Sequence, residues 1–458
     1  MDYKLAGSAL VKKAFNRETL QRIPWVPFAG VHAAKLLGIG AEEYLKSSSH
    51  IFNGVSKAVE LYKPDGIPVV FDLQIEAEAL GCRLNWPDNS PPSVISHPLQ
   101  EGVEIEDLRL PGAFDGRIPV VMDAAAKLRE KYPDIALYGL ITGPFTLALH
   151  LMGTDIFMKM FEDPEDVNKV MSFCTDVGKM MADCYIRAGC DVVAMVDPMT
   201  SQIDPASFET FVSPRASDIF SFIREKQSLS SFFVCGNAKQ NIEAMCRCKP
   251  DNISIDENIP LDYVREVALA NDISFGGNMR LTTVLLMGTP EDSQREALDC
   301  MDKGGREGFV LAPGCDLPMD TPSENLEAVT DLVHDEMRQG ELRASAAPVT
   351  EVEKLDLGSH WHDDKVVIDI ITLDSASCAP CQYMVDAVAR ASHPFGEKVI
   401  YKEHKITGRE GVQMMASLGV RNLPTIVIDG NIEFISQIPP VGKLGEKIGA
   451  YLKSKKAD

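Results

Sequence analysis

The chain has no long apolar run and no surplus of positive charge. No stretch approaches the roughly 18–20 apolar residues that a membrane-spanning helix needs, so no membrane segment is expected. Met1–Asn16 lack the apolar core and cleavage site of a secretion signal, and a cytoplasmic location is the expectation. Lys and Arg number 45 against 67 Asp and Glu, a formal net charge of −22. Nucleic acid and anionic membrane surfaces call for the opposite balance, so neither is expected as a partner, whereas a basic protein would suit. A disulfide framework is missing as well. The 11 cysteines are odd in number and scattered over 458 residues, which in a reducing compartment makes most of them small buried apolar groups. No GxGxxG follows a first strand, which removes the usual signature of a doubly wound dinucleotide fold.

What is present is alternation. A hydrophobic content of 45% with 24% charged residues suits a soluble globular chain, and the length allows one large α/β domain and a small one. Apolar runs that read as strands are Trp25–Ala29, Ile67–Asp72, Ala136–Thr142, Val192–Asp197, Phe232–Cys235, Ile253–Asp256, Ile273–Gly277 and Phe309–Ala312. Helix-like segments lie between them. Pro164–Ala188 carries Val167, Val170, Met171, Cys174, Val177, Met181 and Tyr185 on one face. Pro290–Lys303 opens at Thr289 as a cap and closes at Gly304-Gly305. Eight strands alternating with helices over residues 1–338 predict a (β/α)8 TIM barrel with an N-terminal helical extension.

Polar and thiol residues recur where these runs end: Asp72, Asp197, Cys235-Gly236-Asn237, Asp256-Glu257, Gly277-Asn278 and Pro313-Gly314-Cys315. In a barrel such positions converge on one face, where sites are built. Turns alone would also select many of them. Asp72, Glu76, Asp197, Asn237, Asp256 and Asn278 are the candidate pocket residues.

Residues 339–363 begin with Gln339-Gly340-Glu341-Leu342-Arg343-Ala344-Ser345, polar and without periodicity, and read as a linker. Residues 364–458 then run strand, helix, strand, helix, strand, strand, helix, with Cys378-Ala379-Pro380-Cys381 between the first strand and first helix. At a helix start the Cys378 thiolate is favoured by unpaired amides and the helix dipole, and Cys381 stands one turn away to resolve a mixed disulfide. The motif, its strand-to-helix setting and Asn422-Leu423-Pro424-Thr425 before an apolar strand resemble the thioredoxin family. That resemblance implies a thioredoxin-like α/β domain in which Cys378 attacks, Cys381 resolves and Pro424 is a cis-proline facing the disulfide. A zinc half-site would need a second cysteine pair or a nearby histidine pair, and His360 and His362 fall in the linker stretch.

Phe71-Asp72 with Glu76-Ala77-Glu78-Ala79-Leu80-Gly81, Thr142-Gly143-Pro144-Phe145-Thr146, Ala188-Gly189-Cys190-Asp191, Cys235-Gly236-Asn237 and Leu311-Ala312-Pro313-Gly314-Cys315-Asp316 together resemble the uroporphyrinogen decarboxylase superfamily, and within it the corrinoid-dependent methyltransferases. The resemblance implies zinc-assisted methyl transfer between a corrinoid on a partner protein and a small thiol or methylated substrate, as in an anaerobe's one-carbon metabolism. No corrinoid-binding Asp-x-His-x-x-Gly occurs in the chain, hence the separate carrier. The family's zinc ligands are His-x-Cys at one strand end and a cysteine at the last. Cys235 and Cys315 match the two thiols, and Phe233 stands where the histidine would be. Glu76, Asp197, Asp256 and His150 are the candidates for a third ligand. Pro24–His32 lacks the arginines by which the decarboxylases grip a polycarboxylate, so decarboxylation is not expected. The fused redox module would keep Cys235, Cys315 or the substrate thiol reduced, with a further thiol–disulfide partner. The alternative is a redox-regulated binding protein whose barrel is not catalytic.

Overall fold

A computed structural model describes residues 6–345, 354–358, 360–362, 364–376 and 378–455. The chain divides into two compact units, Met1–Ala346 and Ala347–Asp458.

The first unit is built on seven parallel strands in sequence order: Gly66–Pro68, Ala136–Thr142, Val192–Val196, Leu229–Val234, Asn252–Ile255, Ser274–Met279 and Phe309–Pro313. Helices cross between them. Ala136–Thr142 and Val192–Val196 are buried at every position, as expected of a parallel sheet covered on both faces. The sheet is curled. Trp25 bridges Leu311 of the last strand in parallel, and its carbonyl accepts the Asp65 amide beside the first strand at 2.8 Å. The eighth expected strand, Trp25–Ala29, is reduced to this one bridge because Pro24 and Pro27 have no N–H to give a ladder. The architecture is a barrel-like parallel α/β fold, and its interior core includes Val26, Phe28, Phe71, Leu140, Ala194 and Phe233.

Local signals explain the covering helices. Pro164–Arg187 starts at Asp163, whose side chain accepts the Asp166 amide, and buries the predicted apolar stripe from Val167 to Tyr185. Pro290–Gly304 opens with a reciprocal capping box between Thr289 and Asp292. Gly139 lies where the first of these helices meets the sheet. A Cβ there would fall 2.3 Å from the Tyr185 ring, too close for any side chain. Gly139→Ala is expected to lower stability by about 2–3 kcal/mol in urea unfolding. A loss below about 0.5 kcal/mol would show that Tyr185 moves aside freely.

The stretch read as a linker starts differently. Glu336–Ala344 is helical, with Asp335 capping it, Leu342 buried and Arg343 paired with Asp302 at 2.6 Å. Side-chain anchors hold this helix where apolar periodicity is too weak to announce it. Residues 346–353 lie outside the described residues.

The second unit has a four-stranded sheet ordered Val399–Lys405, Val366–Thr372, Thr425–Ile428 and Asn431–Ile435. The first pair is parallel and the other pairings are antiparallel. Helices Ala379–Ser392 and Val441–Ser454 bury Met384, Val388, Leu444 and Ile448 against Val366, Ile368 and Ile370. Among the described residues, no helix is long and apolar enough to cross a membrane.

Candidate functional site

Cys235 follows the strand Leu229–Val234 and Cys315 follows Phe309–Pro313. Both are half-exposed and pack against the same apolar cluster. Gly236 makes the turn after Cys235 with φ 88°, a conformation that favours glycine, and its amide donates to Asp256 Oδ2 at 2.8 Å. The Cys235 thiol is pushed well above its usual value, first by the hydrogen bond to Cys315, then by burial, with Asp256 and Asp316 adding to it. Phe233, two residues earlier on the same strand face, is fully buried against Phe28 and Phe71, at ring-centroid distances of 5.1 and 5.8 Å.

Five of the six candidate pocket residues are buried and occupied with holding backbone. Asp72 accepts the Gln74 amide at 2.9 Å and pairs with Arg117 at 2.5 Å. Glu76 accepts the Thr142 amide at 2.9 Å and its hydroxyl at 2.8 Å. Asp197 accepts from the Phe145 and Thr146 amides and the Thr146 hydroxyl, closing the start of helix Pro144–Met152. Asp256 ties Gly236 to Asn258, and Asn278 donates to the carbonyls of Asp256 and Ile259. Asn237 alone of the six is half-exposed.

The rim also holds residues that were not among the candidate pocket residues. Arg117, at the start of helix Ile118–Lys131, bridges Asp72 and Glu78. Asp316 accepts the Gly30 amide at 2.9 Å; a Cβ on Gly30 would overlap that carboxylate, so close approach requires glycine here. Glu257 lies against Gly314 and accepts the Leu281 amide at 2.5 Å. Its carboxyl is pushed up to about 8, mainly by burial and then by Asp256. Glu257 stood among the strand ends and Asp316 in the family phrase, without either being taken as a pocket residue. Arg117 had no such signal.

Among the described residues, no group of three His, Cys, Asp or Glu side chains is placed to hold a metal ion. Cys235 and Cys315 would make up only two of the three protein ligands that a catalytic zinc takes. His150, the histidine candidate for the third, is buried with both ring nitrogens unpaired, and burial lowers it to about 3.

In the second unit Cys378 and Cys381 are disulfide-bonded at the start of helix Ala379–Ser392, with Cα atoms 5.2 Å apart. Cys378 is half-exposed and Cys381 buried. The Leu423–Pro424 peptide is cis. Beneath the sheet surface, buried Asp369 binds two histidines, His360 at 2.9 Å and His404 at 2.8 Å. His360 thus has a structural partner that its linker-like sequence context did not suggest.

Fold and rim define an α/β protein of the parallel-barrel type with a thiol pair at the C-terminal ends of its strands. The chain belongs to the uroporphyrinogen decarboxylase (URO-D) family, whose model matches residues 8–336. It is similar to the methylcobamide:CoM methyltransferase MtbA of Methanosarcina acetivorans, 29% identical over 58% of this chain and 78% of that one. The uroporphyrinogen decarboxylase of Anaeromyxobacter is 24% identical over 70% of this chain and 97% of its own length. Among solved structures, a methyltransferase from Methanosarcina mazei superposes with a TM-score of 0.67 at 25% identity, covering 72% of this chain and 99% of that one.

Proposed function

We propose that the first unit transfers a methyl group between a corrinoid carried on a separate protein and a small thiol or related acceptor. The observation that carries this is the pair Cys235 and Cys315 at the strand ends of a chain whose relatives include methylcobamide:CoM methyltransferases. Decarboxylation is disfavoured because Pro24–His32 holds no arginine and Arg117 is committed to Asp72 and Glu78. Methyl transfer from cobalt to a thiol forms one S–C bond, leaves the electron pair on cobalt and releases the thiol proton. Glu257, pushed up to about 8, holds its own proton at neutral pH, so the thiol proton goes to solvent. Among the described residues the donor set stops one ligand short of zinc.

The second unit is read as a thioredoxin-like thiol–disulfide exchange module. Its support is the order of strands and helices, and a disulfide whose first cysteine is half-exposed at a helix start while the second is buried. Cys378 would attack and Cys381 resolve, with Pro424 beside an incoming chain.

Methylcobalamin with 2-mercaptoethanesulfonate tests the first part anaerobically. Chain-dependent formation of the methyl thioether is expected; decarboxylation of a porphyrinogen without methyl transfer would sink the proposal. For the second part, Cys378→Ser is expected to abolish reduction of insulin disulfides, and undiminished reductase activity would count decisively against it. One observation favours the second reading, a redox-regulated binding protein: the buried carboxylates of the rim are engaged in holding backbone. A chain that binds methylcobalamin or thiols and turns over neither would support it.

A further inference from the structure

The loop that leads into Cys378 is held by side chains of a neighbouring strand. Val399–Lys405 is an edge strand of the second unit, paired in parallel with Val366–Thr372 in a register that sets Lys405 opposite Thr372. Two-residue alternation puts Glu403 and Lys405 on one face of it. Both reach the chain where Val366–Thr372 ends. Glu403 is half-buried, and its carboxylate accepts the Thr372 hydroxyl at 2.6 Å, the Ser375 amide at 2.9 Å and the Ser375 hydroxyl at 2.7 Å. Lys405 pairs with Asp374 at 2.6 Å. The Asp374 side chain accepts the Ala376 amide at 2.9 Å, and its carbonyl accepts the Cys378 amide at 2.8 Å. Asp374, Ser375 and Ala376 lie in neither strand nor helix, so these contacts fix where Cys378 enters helix Ala379–Ser392. Hydrogen bonds to a carboxylate are about twice as strong as neutral ones, which makes Glu403 the firmest of the ties.

We propose that Glu403 is a positioning residue for thiol–disulfide exchange, clamping the loop so that Cys378 stays against the helix start when the disulfide opens. This rests on the reading of the second unit as redox-active. A dithiol reductant breaks the Cys378–Cys381 bond, and the two sulfurs take up its two electrons and two protons. The tether to Cys381 is then gone and the loop contacts remain. Reduced Cys378 attacks a substrate disulfide, whose far sulfur leaves as a thiolate and takes a proton from solvent. Cys381 then displaces the near sulfur and re-forms the disulfide. The helix amides favour the Cys378 thiolate only while the thiol is held against them.

The test uses the full chain in two measurements: insulin disulfide reduction with dithiothreitol, and the pH dependence of Cys378 alkylation in the reduced chain. Glu403→Ala should lower kcat about tenfold with KM little changed. It should also move the alkylation midpoint up towards the ordinary thiol value of about 8.5. Glu403→Gln keeps the shape and an acceptor for the Ser375 amide. It should stay within about threefold of the parent, with no rise in the midpoint. A purely electrostatic role would lower the midpoint in both variants, because each removes a negative charge. Ser375→Ala leaves Glu403 in place and removes one donor, so it should show both effects in smaller measure, even where Glu403→Ala does not fold. Rates and midpoints equal to the parent's in Glu403→Ala or Ser375→Ala would overturn the clamp, as would Glu403→Gln as slow as Glu403→Ala. In those outcomes an active parent leaves the redox reading of the second unit standing. A parent that reduces no insulin, and whose Cys378–Cys381 bond never opens in dithiothreitol, would sink both.

Discussion

Replacing Phe233 with histidine is expected to turn a two-thiol rim into one that binds a zinc ion per chain. Phe233 lies in the strand Leu229–Val234 and Cys235 just past its end, two residues on, and both Cys235 and Cys315 pack against the core cluster that holds Phe233. An imidazole at 233 would complete a His-Cys-Cys set, the ligand number that zinc takes while keeping a position open. Without metal the variant should be weaker than the parent by about 3 kcal/mol, because it loses the aromatic contacts to Phe28 and Phe71 and buries a polar ring. Zinc should more than offset this, since metal held by a folded site adds its binding free energy to folding. Equimolar zinc should therefore raise the unfolding temperature of Phe233→His by roughly ten degrees or more and leave the parent almost unmoved. Elemental analysis should give one zinc per variant chain, lost again with Cys315→Ala. A parent chain that already holds one zinc, removed by substituting both Cys235 and Cys315, would show that another side chain supplies the missing ligand.

How the sequence disclosed this rim follows from what each residue has to do. Cys235 and Cys315 were legible because a thiol at the end of an apolar run is not what a turn needs. Asp72, Asp197, Asp256 and Asn278 stood at strand ends for either of two reasons, and sequence could not separate them. A carboxylate that accepts backbone amides and one that accepts a substrate occupy the same kind of position. Parallel strands were readable because burial on both faces leaves unbroken apolar runs, as in Ala136–Thr142. Trp25–Ala29 was overread because its apolar content is strand-like while Pro24 and Pro27 withhold the amides. Helix Glu336–Ala344 was underread for the opposite reason: a cap and ion pairs hold it, with little apolar patterning. Arg117 could not be found by that route at all, since it sits at a helix start and reaches the rim only through its ion pairs with Asp72 and Glu78.

Asp197→Ala is expected to destabilise the first unit by about 3–4 kcal/mol at neutral pH, and the reason is that Asp197 holds a helix rather than a ligand. Its carboxylate accepts the Phe145 amide at 3.1 Å, the Thr146 amide at 2.8 Å and the Thr146 hydroxyl at 2.6 Å. Helix Pro144–Met152 is buried along its whole length, so these donors would have no water to turn to. A Cβ on Gly143 would come within 2.4 Å of the same carboxylate, which shows how closely the backbone is drawn over it. Burial raises the Asp197 carboxyl from 3.8 to about 6, against the lowering effect of its three hydrogen bonds. The native state therefore holds this proton more tightly than the unfolded chain does. Its stabilising contribution is complete below pH 3.8, declines as pH rises towards about 6 and is gone above that, a change of roughly 3 kcal/mol at most. Asp197→Asn cannot titrate. Relative to Asp197→Asn, the parent should lose stability between about pH 4 and pH 7 in urea unfolding followed at each pH. A constant difference across that range would mean that the carboxylate is already ionised in the native state, with a value no higher than in the unfolded chain.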